Sequence, residues 1–99
     1  MVKFVALYKK PADVDEFETH YREIHAPLAR KIPGLKKLEV SHMTGSPTGE
    51  PDFYMMAELY FEDKAAMFAG MGSDEGKAAA KDVMSFAGDI IHMMFAKVE

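Results

Sequence analysis

Apolar and polar positions recur along this chain with two periods, and the switches between them predict four strands and two helical regions. Residues 2–8, VKFVALY, are rich in β-branched and aromatic types and are closed by Lys9-Lys10-Pro11, which reads as a strand followed by a turn. The period then becomes helical. Val14, Phe17, Tyr21, Ile24 and Leu28 fall on one stripe, with His25 on one margin and His20 on the other. Asp13 is placed to cap this helix by accepting from the amide of Asp15 or Glu16, and Pro27 is expected to stop it at about Ala26. A short last turn ends before Pro33-Gly34. Leu35 to Thr44 is a second strand, Gly45 to Pro51 a turn-rich hairpin loop, and Asp52 to Phe61 a third strand. Glu62 to Met71 predicts a short helix. Ser73 can cap its continuation through Ala87, and Gly88 ends it before a last strand, Asp89 to Val98.

Strand faces carry a second expectation. One face of the sheet is read as Val5, Leu7, Leu38, Val40, Phe53, Met55, Ala57, Leu59, Phe61, Ile90, Met94, Ala96 and Val98, with His42 and His92, and is apolar enough to carry both helical regions. The other is read as Phe4, Ala6, Tyr8, Met43, Tyr54, Met56, Tyr60, Ile91, Met93 and Phe95, mixed with Lys37, Glu39, Ser41 and Glu58. Two helices cannot cover two faces, so a second copy of the sheet is the expected cover and the chain is expected to be a homodimer. A one-residue slip in a strand would exchange its faces.

At 99 residues the chain is expected to be a single domain, 1–99, with one core. A net charge of -4 and scattered lysines give no basic field for nucleic acid. Cysteine is absent, which removes thiolate metal sites, disulfides and cysteine nucleophiles. No signal-peptide pattern or membrane-length apolar run is present, so cytoplasmic residence with no membrane partner is expected.

Candidate chemistry centres on the first helix. His25 borders its apolar stripe, where burial or a carboxylate can move a titration that starts near pH 6.5. Asp82 has the matching place on the second helix, beside the Ala79, Val83 and Phe86 stripe, and could orient a histidine as half of an acid–base pair. Each has a plain alternative: a half-buried structural imidazole for His25, and a solvated partner of Lys77 or Lys81 for Asp82. No metal site is expected, because a five-residue step turns His20 and His25 about 140° apart on a straight α-helix. His42 and His92 would lie on opposite edges of a 4-1-3-2 sheet, about three 4.8 Å spacings apart. The expected catalytic set is His25, Asp82, Tyr21 and His20. The expected ligand contacts are Tyr8, Phe17, Leu28, His42, Met55, Phe86, His92 and Met94. Methionine is abundant, at 9 of 99 residues, which suits either core filling or a compliant apolar pocket.

FETHYREIHAPL, Phe17 to Leu28, resembles the first-helix signature of the EthD family, F-x-x-H/Y-[aromatic]-x-x-x-H-x-P-L. AELYF (Ala57 to Phe61) and SDEG with a later D-V-x-x-F (Ser73 to Gly76, Asp82 to Phe86) match in the right order, although Tyr60 stands where the family pattern leads us to expect Trp. The resemblance implies a ferredoxin-like α+β fold, βαββαβ, in which a four-stranded antiparallel sheet carries helices on one face and two copies form a dimeric α+β barrel. Proteins of similar fold include lactone isomerases, polyketide cyclases and small monooxygenases, so a small apolar oxygenated ligand and cofactor-independent acid–base chemistry are expected. Some relatives of this fold hold haem through a histidine, but nothing here singles out such a ligand, and no cofactor is expected. The alternative is a non-catalytic ligand-binding or accessory protein of an oxidative degradation pathway.

Overall fold

The computed structural model describes residues 1–99. Four strands, β1 (Val2–Tyr8), β2 (Lys37–His42), β3 (Met55–Phe61) and β4 (Ile91–Lys97), form an antiparallel sheet in the order β2-β3-β1-β4. That is the expected ferredoxin-like order. β2 and β3 are shorter than expected, because the turn-rich segment around Gly49 (φ 121°) takes up the residues on either side of it. All helices lie on one face, over a core in which Tyr8, Met55, Phe61 and Met67 are almost fully buried. No helix is long and apolar enough to cross a membrane.

The expected faces hold for β2 and β3, where Leu38, Val40, Ala57, Leu59 and Phe61 belong to the core or pack against it. They are reversed in β1 and β4. Phe4 pairs with Leu59 and Phe95, Ala6 with Ala57 and Met93, and Tyr8 with Met55 and Ile91. Phe4, Ala6, Tyr8, Ile91, Met93 and Phe95 therefore face the helices, while Val5, Leu7, His92, Met94 and Ala96 face outward. The physical reason is that VKFVALY and IHMMFAK are apolar on both faces. With no alternation to fix the phase, only pairing with β3 decides it. Phe53 and Tyr54, which precede β3, also depart from expectation: Phe53 stands against the outward-facing His92, and Tyr54 donates its hydroxyl to Glu18 on the helix side.

The first helix is not stopped by Pro27. It runs as α1 (Val14–His20), a single π-helical turn (Tyr21–His25) and α2 (Ala26–Arg30). Asp13 caps the start by accepting from the Glu16 amide at 3.0 Å. Within the π turn the Ala26 amide donates to the Tyr21 carbonyl, five residues back. The next residue is Pro27, which has no N–H to donate, so the wider turn falls where the α-helical ladder would have lost a bond anyway. The second helical region is α3 (Lys64–Met71) and α4 (Asp74–Ala87), joined at Gly72-Ser73. Ser73 accepts from the Gly76 amide at 3.0 Å and donates to the Gly70 carbonyl, which fixes the corner between the two helices.

Candidate functional site

The π turn decides the geometry of the site. Residues five apart are neighbours in π-helical pairing, so His20 and His25 come to the same side, whereas a straight α-helix would have turned them apart. α4 supplies the third member from the opposite wall. Asp82 Oδ2 lies 3.0 Å from His25 Nδ1, and Oδ1 lies 2.9 Å from His20 Nε2. Asp82 is paired with neither lysine. Phe86, one turn further along α4, packs its ring 4.1 Å from that of His20 and 5.5 Å from that of His25.

A carboxylate oxygen only accepts, so the ring nitrogens that face Asp82 carry the protons. Nδ1 of His25 is thereby the N–H, and its Nε2 keeps the lone pair. His25 is buried, with about 8% of its surface exposed. Burial holds its pKa below the ordinary histidine value; the hydrogen bond and charge of Asp82 oppose that shift, and repulsion from His20 adds to it. The neutral imidazole is the resting form at neutral pH.

His25 lines a small cavity of about 40 Å³ between the helices and the sheet, with Tyr8, Tyr21, Val83 and Met93 among its walls. Burial pushes the Tyr8 phenol well above its usual pKa, and the neighbouring Tyr21 and Asp82 add to that rise. The Tyr21 phenol is pushed up to about 12 by burial; Arg30 draws it down and Glu18 raises it. Both hydroxyls are neutral donors at physiological pH. The charged groups acting on them differ, with Tyr8 beside Asp82 and Tyr21 turned toward Arg30 and Glu18.

Of the residues expected from the sequence, His20, His25, Asp82, Tyr8, Tyr21, Phe17 and Phe86 come together. Phe17 stacks among Tyr8, Tyr21 and Phe86 with ring centres 5.4–6.1 Å apart. Met55 is fully buried beneath this cluster, and Leu28 packs at the margin of the core. Three fall elsewhere. His42 binds Glu18 at 2.9 Å, away from Asp82. His92 stands against Phe53 on the outward face, and Met94 lies on that face too, because β4 has the opposite phase. The same phase brings in cavity residues the sequence reading placed on the other side: Phe4, Ala6, Ile91 and Met93. No group of three or more His, Cys, Asp or Glu side chains has the arrangement of a metal site.

His25 also makes stability depend on pH. Its folded pKa is depressed, so the unfolded chain binds the proton more readily than the folded one. The His25 contribution is complete above the unfolded value near 6.5 and is lost as pH falls from there through the lower folded value. Melting temperature should fall on acidification through this window. His25→Leu should flatten that part of the curve, and an unchanged slope would show that another group causes it.

The EthD domain model matches residues 9–90. A Rhodococcus erythropolis protein, described as an uncharacterized 11.0 kDa protein of the thcB–thcC intergenic region, is 35% identical over 99 residues, spanning all of this chain and 96% of its own. The crystal structure of an EthD family protein from Bacillus halodurans superposes with a TM-score of 0.97 at 46% identity, covering 100% of this chain and 99% of that one. More distantly, SnoaB from Streptomyces nogalater, described as a cofactor-independent oxygenase, shares the fold with a TM-score of 0.72 at 14% identity over 99% of this chain and 92% of its own. Other solved proteins of this fold are described as dimeric. With the family match running from the first turn to the residue before the last strand, and the ordered motifs of the first helix, β3 and α4 in place, the chain belongs to the EthD family.

Proposed function

We propose that this protein catalyses cofactor-independent proton transfer on a small, apolar, oxygenated metabolite, with His25 as the base. The observation that carries the reading is the His25 Nδ1–Asp82 contact, which leaves Nε2 unprotonated on the wall of an apolar cavity. Nε2 takes a proton from the carbon next to a carbonyl, and the C–H electron pair moves onto the carbonyl oxygen as an enolate. The Tyr8 hydroxyl donates to that oxygen, and Asp82 stabilises the imidazolium that forms. Returning the proton to a different carbon gives isomerisation. Attack by the enolate carbon on a second carbonyl gives ring closure, and its reaction with dioxygen gives monooxygenase-type products. His20 shares the carboxylate and orients it.

At about 40 Å³ this cavity is too small to admit a metabolite as it stands. Substrate entry therefore displaces the Met71 and Met93 side chains, which line the cavity and whose unbranched thioethers repack readily. Cytoplasmic residence is part of this reading, because a cysteine-free enzyme of this kind needs no oxidising compartment. The test is exchange of α-hydrogens for deuterium in D₂O, followed by NMR on 2-tetralone and on an α,β-unsaturated lactone. Exchange above the buffer rate supports the reading. Saturable binding without exchange would leave a ligand carrier in its place.

We further propose a homodimer built on the outward sheet face. Leu7, Met56, Met94 and Ala96 lie there with no layer over them, bordered by the Lys3–Glu58 ion pair. Met93 and Phe95, which the sequence places on this surface, face the helices instead. Sedimentation should give roughly twice the chain mass of 11.1 kDa. Met94→Glu should shift the protein to monomer, because the exposed thioether loses on the order of 1.5–3 kcal/mol of burial. A wild-type monomer that melts cooperatively would overturn the assembly.

A further inference from the structure

A second cluster lies on the other flank of the first helix, remote from Asp82. Glu18, Arg22, Ala26 and Arg30 follow one another at four-residue steps and form one wall of a groove of about 230 Å³. Val40, His42 and Met55 of the sheet form the other wall, and Tyr21 lies between the two. Glu18 is already engaged: its carboxylate accepts from the Tyr54 hydroxyl and, at 2.9 Å, from His42 Nε2. Burial works against its ionised form, but those two donors, aided by the charges of His42 and Arg22, outweigh burial and hold its pKa below the ordinary carboxylate range.

The remaining polar groups of the groove are all donors. No acidic side chain lies within ion-pair distance of Arg22 or Arg30, and the Tyr21 hydroxyl has no hydrogen-bond partner in the protein. In a chain of net charge -4, two unpaired guanidinium groups and a neutral phenol over an apolar floor of Ala26, Val40 and Met55 form a local exception. We propose that this groove binds a small organic acid, its carboxylate held by Arg22, Arg30 and the Tyr21 hydroxyl and its apolar body lying on Val40. Planar guanidinium forks suit a carboxylate, and the one acidic group of the groove, Glu18, is already engaged by the Tyr54 and His42 donors. The site stands apart from the proton-transfer reading and does not depend on it.

Benzoate is a suitable probe because it carries a carboxylate and an apolar ring of about the right size. Titrated at low ionic strength, it should saturate and shift the Arg22 and Arg30 guanidinium and His42 imidazole NMR signals. The double variant Arg22→Gln/Arg30→Gln should bind it about tenfold or more weakly while melting like the parent, since both arginines are exposed. His25→Gln should bind it like the parent, and benzamide, the neutral isostere, should not saturate. The proposal is overturned if benzoate gives no saturating shift, if the folded double variant binds it as tightly, or if benzamide binds equally well.

Discussion

His25→Gln will lower α-hydrogen exchange by about 10²-fold or more while leaving the protein folded and able to bind the ketone. Glutamine fills a similar volume and keeps a donor toward Asp82, so the cavity wall and the contact with α4 are retained. What is lost is a basic nitrogen lone pair whose pKa burial holds below the ordinary histidine value. The pH profile separates this from a structural effect. In the parent, exchange should rise with pH on a limb that lies below the ordinary histidine value, because burial depresses the His25 pKa, and then level off. The variant should lose that limb. A variant that retained the limb, or whose activity fell only in proportion to its folded fraction, would remove His25 from the base role. Asp82→Asn should fall between the two. It keeps an acceptor for Nδ1–H but offers no charge to the imidazolium.

Gly76→Ala will be among the most destabilising single-methyl changes available to this chain. A Cβ at Gly76 would lie 2.4 Å from the Gly70 and Met71 carbonyl oxygens, and these are backbone atoms that no rotamer change can move. α3 and α4 must separate to admit it. The cost of inserting a methyl group into a packed region is typically about 1–3 kcal/mol, and contact with fixed backbone puts this site at the upper end. Gly76 lies within two turns of Asp82, so the displaced helix would also carry the carboxylate away from the two histidines. Chemical denaturation should report the loss of stability, and the exchange assay a further loss in the fraction that remains folded. A midpoint within error of the parent would mean that the corner is looser than the backbone distances describe.

The sequence by itself determined the order of elements, the Asp13 and Ser73 helix caps and the family. Those depend on local signals: Asp13 and Ser73 ahead of apolar periods, Gly34 in its turn, and a first-helix motif read within twelve residues. It also put His20, His25 and Asp82 at the margins of apolar stripes, and such positions border a core wherever the helices pack. Tertiary structure decided the rest. VKFVALY and IHMMFAK are apolar on both faces, so the phase of β1 and β4 depended on pairing with Ala57, Leu59 and their neighbours, and that pairing put His92 and Met94 outside and Met93 inside. The convergence of His20 and His25 depended on a π turn. That turn lies just before Pro27, which removes one helical hydrogen bond, and an α-helical period cannot show it. The Glu18, Arg22 and Arg30 groove was not read from the sequence, and it exists only because β2 lies opposite the first helix. Local periodicity fixes which side chains share a surface of one element, and only the pairing of distant segments fixes what that surface meets.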